Sequence, residues 1–224
     1  MNSSNNINLN KNKNITLCVS EKTTININGE ELKYVLIKLF QKYFSNSTDE
    51  DKFAFIQFSY NGKKTITIKS ETLDLFLQKL ESNKGAFQLN ENYNKTSNEL
   101  QFMEFSNLFI SIINSQQNFE NKNDNIIILF INTEDIRFND KKECVDTINE
   151  LNRYNYTVII FTYDTFISNQ KIISIHSFMC GLNDGHFFQI KNYQQIKQVL
   201  MNFSNKESQE KFANYDYEIT DYML

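Results

Sequence analysis

Chemistry needs reactive side chains in usable groups, and this chain holds few of them. Its three cysteines, Cys18, Cys144 and Cys180, stand far apart with no CxxC pair, and its two histidines, His176 and His186, are ten residues apart. That supply suits neither a structural zinc site nor a disulfide framework, so the cysteines are expected as small buried hydrophobes in a reducing compartment. His176 falls in an apolar-rich helix and is expected as a partly buried, hydrogen-bonded ring rather than a general base. No serine or cysteine sits in a G-x-S-x-G elbow. The five glycines, Gly29, Gly62, Gly85, Gly181 and Gly185, are too scattered for a G-x-G-x-x-G turn or a phosphate loop. What remains is oxygen: Ser20 and Glu21 after one apolar run, Thr133, Glu134 and Asp135 after another. Such groups bind a ligand only if the fold brings the ends of those runs together.

The elements that would do so can be read from the apolar spacing. Ile15 to Val19 is a short buried strand, and Asn125 to Ile131 is an unbroken apolar run suited to a central strand covered on both faces. Between them, Leu32, Val35, Leu36, Leu39, Phe40 and Tyr43 make one helical stripe over 30–44. Phe53 to Phe58 and Lys64 to Ile68 read as a hairpin around Tyr60-Asn61-Gly62-Lys63. Leu73, Phe76, Leu77 and Leu80 mark a short helix, 81–98 is a polar loop, and a longer helix is expected over 100–115 with Phe102, Phe105, Leu108, Phe109 and Ile112 on its apolar face. Asp140 then looks like the N-cap of a helix that turns Cys144, Ile148 and Leu151 to the sheet. A strand over 156–163, a helix over 172–179, a turn over 181–185, an edge strand over 186–190 and a helix over 193–203 complete the series. The pattern predicts a doubly wound, mostly parallel α/β sheet with one antiparallel edge strand and helices on both faces. In such a sheet ligands bind outside the carboxyl ends of the strands, where Ser20, Glu21, Thr133, Glu134 and Asp135 fall.

With 224 residues, 40% hydrophobic and 22% charged, the chain suits one core-bearing domain, expected over 14–204. An Asn-rich leader, 1–13, precedes it, and it has neither the apolar centre of a secretory signal nor the basic amphipathic face of a presequence. Residues 205–224 form a tail with two lysines, five acids and Tyr215, Tyr217 and Tyr222. The formal charge of -4 offers no general basic surface to nucleic acid or to an anionic membrane, and no apolar run approaches the length of a membrane span. An intracellular setting follows as an expectation, cytoplasmic or within a cytoplasmic or cytoskeletal assembly.

The order of elements and the local sequences resemble the von Willebrand factor A domain family, which includes the integrin I domain. The resemblance covers about 14–204 and rests on Leu17-Cys18-Val19-Ser20-Glu21-Lys22, Phe55-Ile56-Gln57-Phe58, Ile128 to Asp135, and Cys180-Gly181-Leu182-Asn183-Asp184-Gly185-His186-Phe187-Phe188-Gln189-Ile190. It implies a Rossmann-like sheet and a metal-ion-dependent adhesion site: Asp-x-Ser-x-Ser after the first strand, a middle-loop Thr and an Asp after the fourth strand. Those hard oxygens hold Mg²⁺ or Mn²⁺ and leave a position for a partner's carboxylate. Placed on this chain, the first motif becomes Cys18-Val19-Ser20-Glu21-Lys22, with a thiol for the aspartate and an ammonium for the second serine. Thr96 takes the middle position, and Thr133-Glu134, or in the other register Asn132-Thr133, takes the last. The resemblance therefore implies a degenerate site that holds no cofactor, and if a metal binds, its oxygens are those of Ser20, Thr96 and Glu134. The expected function is a non-enzymatic protein-binding module, an adaptor or structural subunit, with an interaction surface at Ser20, Glu21, Thr133, Glu134 and Asp135. The alternatives are a Mg²⁺- or Mn²⁺-dependent ligand-binding domain and a small-molecule enzyme on the same fold.

Overall fold

The computed structural model describes residues 12–21, 29–59, 64–88, 103–115, 124–133, 136–138, 141–162, 169–190 and 193–204. In chain order these form β1 (Lys13–Ser20), α1 (Gly29–Tyr43), β2 (Lys52–Phe58), β3 (Lys64–Glu71), α2 (Leu73–Ser82), β4 (Met103–Glu104), α3 (Phe105–Ser115), β5 (Asp124–Phe130), β6 (Ile136–Arg137), α4 (Lys141–Arg153), β7 (Tyr156–Thr162), α5 (Asn169–Cys180), β8 (Asp184–Gln189) and α6 (Tyr193–Ser204). The main sheet runs β3-β2-β1-β5-β7-β8, and every pair is parallel except β2 with β3. This is the expected doubly wound sheet with one antiparallel edge.

Strand alternation sorts the core into two layers. Ile15, Leu17 and Val19 of β1, with Phe53, Phe55, Ile126, Ile128, Phe130, Ile159 and Phe161, pack under α1, α2 and α6. Cys18, Ile56, Phe58, Ile127, Leu129, Ile131, Val158 and Ile160 face the other way, under α3, α4 and α5. Each layer has an aromatic centre. Phe40, Phe53 and Phe76 meet at centroid distances of 5.8 to 6.2 Å on the first side, and Phe105, Phe109 and Phe178 at 4.8 to 5.4 Å on the second. Because β1 and β5 are adjacent while their connections leave in opposite directions along the sheet, the switch point of the topology lies between them.

Several local expectations change. The long helix begins at Phe105 rather than residue 100, because Met103 and Glu104 instead pair with Ile136 and Arg137 in a short parallel ladder. Strand β1 begins inside the expected leader: the Lys13 N–H donates to Asp51 Oδ1 at 2.7 Å, and the Asn12 carbonyl accepts from the Asp124 N–H at 2.9 Å. Strand β8 begins at Asp184, within the expected turn, since a parallel strand is defined by its pairing with Thr157 and not by its hydropathy. Its glycine permits close approach: a Cβ on Gly185 would stand 2.9 Å from the Met179 carbonyl oxygen at the end of α5. Only Cys18 of the three cysteines is fully buried; Cys144 is half-buried and Cys180 is exposed, on the outer side of α5. The turn 60–63, Phe102, the expected cap Asp140, the leader residues 1–11 and the tail 205–224 lie outside the described residues. None of the described helices is long and apolar enough to cross a membrane.

Candidate functional site at the strand ends

Ser20 closes β1 and Thr133 follows β5, so the two stand on either side of the switch point. Both are buried, at 1% and 0% exposure, and Glu21 is buried too, at 4%. The expected interaction surface therefore has three buried members, and the backbone pairing of β1 continues one residue past its end, where the Glu21 N–H donates to the Phe58 carbonyl at 2.8 Å. Thr96, Glu134 and Asp135 lie outside the described residues, as does Lys22.

Gln57 organises the Glu21 side. On β2 it alternates with Phe53 and Phe55 toward the α1 layer, yet its side chain is an amide buried to 1% exposure. The Phe87 N–H donates to Gln57 Oε1 at 2.7 Å, and Gln57 Nε2 donates to the Gln88 carbonyl at 2.9 Å. The same Nε2 makes a longer contact of 3.5 Å with Glu21 Oε1. The side-chain amide thus serves two backbone groups as a neighbouring strand would, and it fixes the turn after α2 against the end of β1. Phe87 is held there with φ of 66°, a conformation a bulky side chain rarely adopts, while its ring stacks on Phe55 at 5.1 Å.

Lys171 organises the Thr133 side. It lies in the first turn of α5, and its Nζ donates to the Thr133 carbonyl at 2.8 Å. A second cation stands on the same side of the sheet: Lys64 pairs across β2 with Phe58, next to Ser20. Burial lowers the Lys64 pKa, against a smaller opposing pull from the Cys18 thiol, and burial pushes that thiol well up.

The residues standing where a metal set is implied fit a divalent ion poorly. Cys18, in the place of the first aspartate, is two residues short of the strand end and wholly inside the apolar layer under α3, α4 and α5. Ser20 supplies one hydroxyl, with no hydrogen-bond partner among the described residues. At the Thr133 end an ammonium already touches the carbonyl. A divalent ion about 4 Å from that ammonium would be repelled by about 8 kcal/mol at an effective dielectric of about 20. No group of three metal-ligating side chains occurs among the described residues.

Elsewhere, His176 does not make the expected hydrogen bond. Its Nε2 is buried with no partner among the described residues, and the ring meets Phe187 edge-on at 5.7 Å. His186 bonds Asp184 Oδ1 at 2.7 Å, while the Thr157 hydroxyl donates to Asp184 Oδ2 at 2.6 Å. This cluster pins the edge strand β8 to β7 at the opposite end of the sheet from Ser20. A groove of about 470 Å³ lined by Gln41, Thr48, Thr72, Asp74 and Gln78 also lies at that opposite end, where α1 finishes and α2 starts. Gln57 and Lys171 were not among the sequence candidates. The only signal for Gln57 was an amide in the otherwise apolar run Phe53 to Phe58, and Lys171 gave none, since only folding carries α5 to β5.

No protein-family model matches the chain, and no curated protein matches it in sequence. Solved structures do. The VWA domain of SpRpn10 is similar over 86% of this chain and 94% of its own, at 13% identity and a TM-score of 0.55. The vWF domain of the type V pili tip protein Mfa5 from Porphyromonas gingivalis is similar over 87% and 94%, at 7% identity and a TM-score of 0.55. The pilus adhesin SpaC from Lactobacillus rhamnosus GG is similar over 87% of this chain at 10% identity and a TM-score of 0.57, but the match spans only 30% of SpaC. With the strand order, the antiparallel edge and the two helical layers, these likenesses identify the fold as that of a von Willebrand factor A-like domain.

Proposed function

We propose that the chain is a non-enzymatic protein-interaction module, an adaptor or structural subunit of an intracellular assembly, that binds its partner at the strand ends without a metal. The observation that carries this reading is the construction around the switch point. Ser20, Glu21 and Thr133 form a buried floor braced by Gln57 and Lys171, and the His186–Asp184 pair stands at the other end of the sheet. Such a floor supports contact loops and performs no chemistry of its own. In the chain, residues 22–28 and 134–135 directly follow these two strand ends, so we assign the partner contacts to them. The fold neighbours agree in kind, since one is named as a pilus adhesin and another as a pilus tip protein.

The test is the native mass of the tagged full chain in gentle lysate, with and without EDTA, compared with the double variant Lys22→Glu, Glu134→Arg. A large species that persists in EDTA and falls to the monomer mass in the variant is expected. A wild-type monomer would refute the module. A complex lost in EDTA would refute metal independence and favour the Mg²⁺- or Mn²⁺-dependent reading.

A further inference from the structure

The groove of about 470 Å³ between the end of α1 and the start of α2 has a lining of mixed character. Leu73 and Leu77 give it an apolar part, 8% and 6% exposed, and the carboxylates of Asp49, Asp74 and Glu81 give it negative charge. No lysine or arginine is among the described lining residues, so the groove suits a segment that brings positive charge and no acid. The chain itself arrives beside it with such a segment. Asp51 ties the first residue of β1 to the groove: its Oδ1 accepts from the Lys13 N–H at 2.7 Å, and its Oδ2 accepts at 2.9 Å from the N–H of Thr48, which lines the groove. One position earlier, Asn12 Nδ2 donates to Glu50 Oε2 at 2.6 Å. The eleven residues that precede Asn12 in the sequence include five asparagines, two serines, Lys11 and no acid. Their Ile7 and Leu9 are two apart, the spacing that sets two side chains on one side of an extended segment. Eleven extended residues reach about 36 Å, whereas Leu73 to Glu81 takes up only about 12 Å of α2.

We propose that this groove is the docking site of the chain's own Asn-rich leader, residues 1–11, with Lys11 toward the Asp49 and Asp74 carboxylates and Ile7 and Leu9 toward Leu73 and Leu77. Exposed ion pairs are weak one at a time. Here the anchorage at Asn12 makes docking intramolecular, with an effective concentration on the order of millimolar, so a few such contacts suffice. The docked leader closes the groove to basic segments of other proteins. Because the groove stands at the opposite end of the sheet from Ser20, the inference does not depend on the strand-end reading.

The experiment is carbodiimide coupling of the purified full chain at low salt, on an equal mixture of unlabelled and ¹⁵N-labelled protein, with the joined peptides mapped by mass. We expect Lys11 to be coupled to Asp49 or Asp74 of the same chain, and the product to fade at high salt as the charges are screened. Coupling confined to Glu50 and Asp51, beside which the chain passes in any case, would overturn the proposal, and so would no coupling of Lys11. Products joining labelled to unlabelled chains alone would overturn it in favour of a second copy's leader. An equimolar oligolysine peptide taken up by Asp74 in preference to Lys11 would overturn it in favour of a partner's basic segment. A second measurement is trypsin cleavage after Lys11 in the full-length double variant Asp49→Asn, Asp74→Asn, both positions being exposed. Cleavage should be faster than in the wild type by about threefold, the scale of exposed ion pairs, while Asp146→Asn, on α4 across the sheet, leaves it unchanged. Equal cleavage in the wild type and the double variant would overturn the docking.

Discussion

Replacing Gln57 by leucine would remove two hydrogen bonds at nearly constant volume, and its effect can be worked from the geometry. The Phe87 N–H loses its acceptor at 2.7 Å and the Gln88 carbonyl loses its donor at 2.9 Å. Phe87 is buried, so its N–H would find no water, and an unsatisfied buried donor costs about 1–3 kcal/mol. Gln88 is exposed, so its carbonyl can turn to solvent and costs little. Leucine gains some apolar burial beside Phe55, which offsets part of the loss. The backbone at Phe87, held at φ of 66°, adds a local incentive to open, since a non-glycine residue in that region stores about 1–2 kcal/mol. The expected outcome is a loss of about 2 kcal/mol in urea unfolding with an unchanged m-value, with amide exchange at Phe87 rising well before that of the β5 core. Gln57→Glu should cost more at pH 7 than at pH 4, because a carboxylate cannot donate to Gln88 and stands against Glu21. A loss under about 0.5 kcal/mol for the leucine variant, with Phe87 still protected, would refute the view that this amide holds the turn to the strand ends.

Two further outcomes follow from single groups. Thr16 Oγ1 is fully buried in the apolar layer with no partner among the described residues, so Thr16→Val, of the same shape, should raise stability by about 1 kcal/mol, read as a higher urea midpoint; a lower midpoint would mean that the hydroxyl is satisfied. The Asp184 carboxyl is held below its usual pKa, first by the hydrogen bond from His186 and also by that from Thr157, against the opposing effect of burial. A depressed folded-state pKa gives stability that is present above the unfolded value of about 3.9 and is lost as pH falls through the lower folded value. Asp184→Asn should therefore flatten the acid limb of a stability-against-pH curve below about pH 4 and cost no more than about 1 kcal/mol at neutral pH, the side chain being half exposed. An acid limb as steep as that of the wild type would show that Asp184 is not its source.

Much of the architecture was legible because burial writes itself into sequence as period. Ile126 to Ile131, covered on both faces, has no polar residue to alternate with, and the stripe from Leu32 to Tyr43 repeats with the helical turn, so both elements could be placed before any folding was known. The strand ends were legible in the same way, since Ser20 and Thr133 are where apolar runs stop. Boundaries governed by pairing were not. Met103 and Glu104 leave the helix because Ile136 and Arg137 stand beside them, and that neighbour is more than thirty residues away in the chain. Exposure of Cys180 was hidden too, because a cysteine on the outer face of α5 has the same local spelling as one turned inward.

By itself, then, the sequence determined the alternation of strands and helices, the central apolar strands and the absence of any glycine-rich cradle, all of which depend on residues near one another in the chain. Only the tertiary structure decided that Ser20, Glu21 and Thr133 are a buried floor rather than a surface, that Gln57 reaches Phe87 across 30 positions, and that Lys171 sets its charge on Thr133 across 38. Those pairings carry no periodic signal. They follow from which strand lies beside which, and that order is set when both faces of the sheet are covered at once.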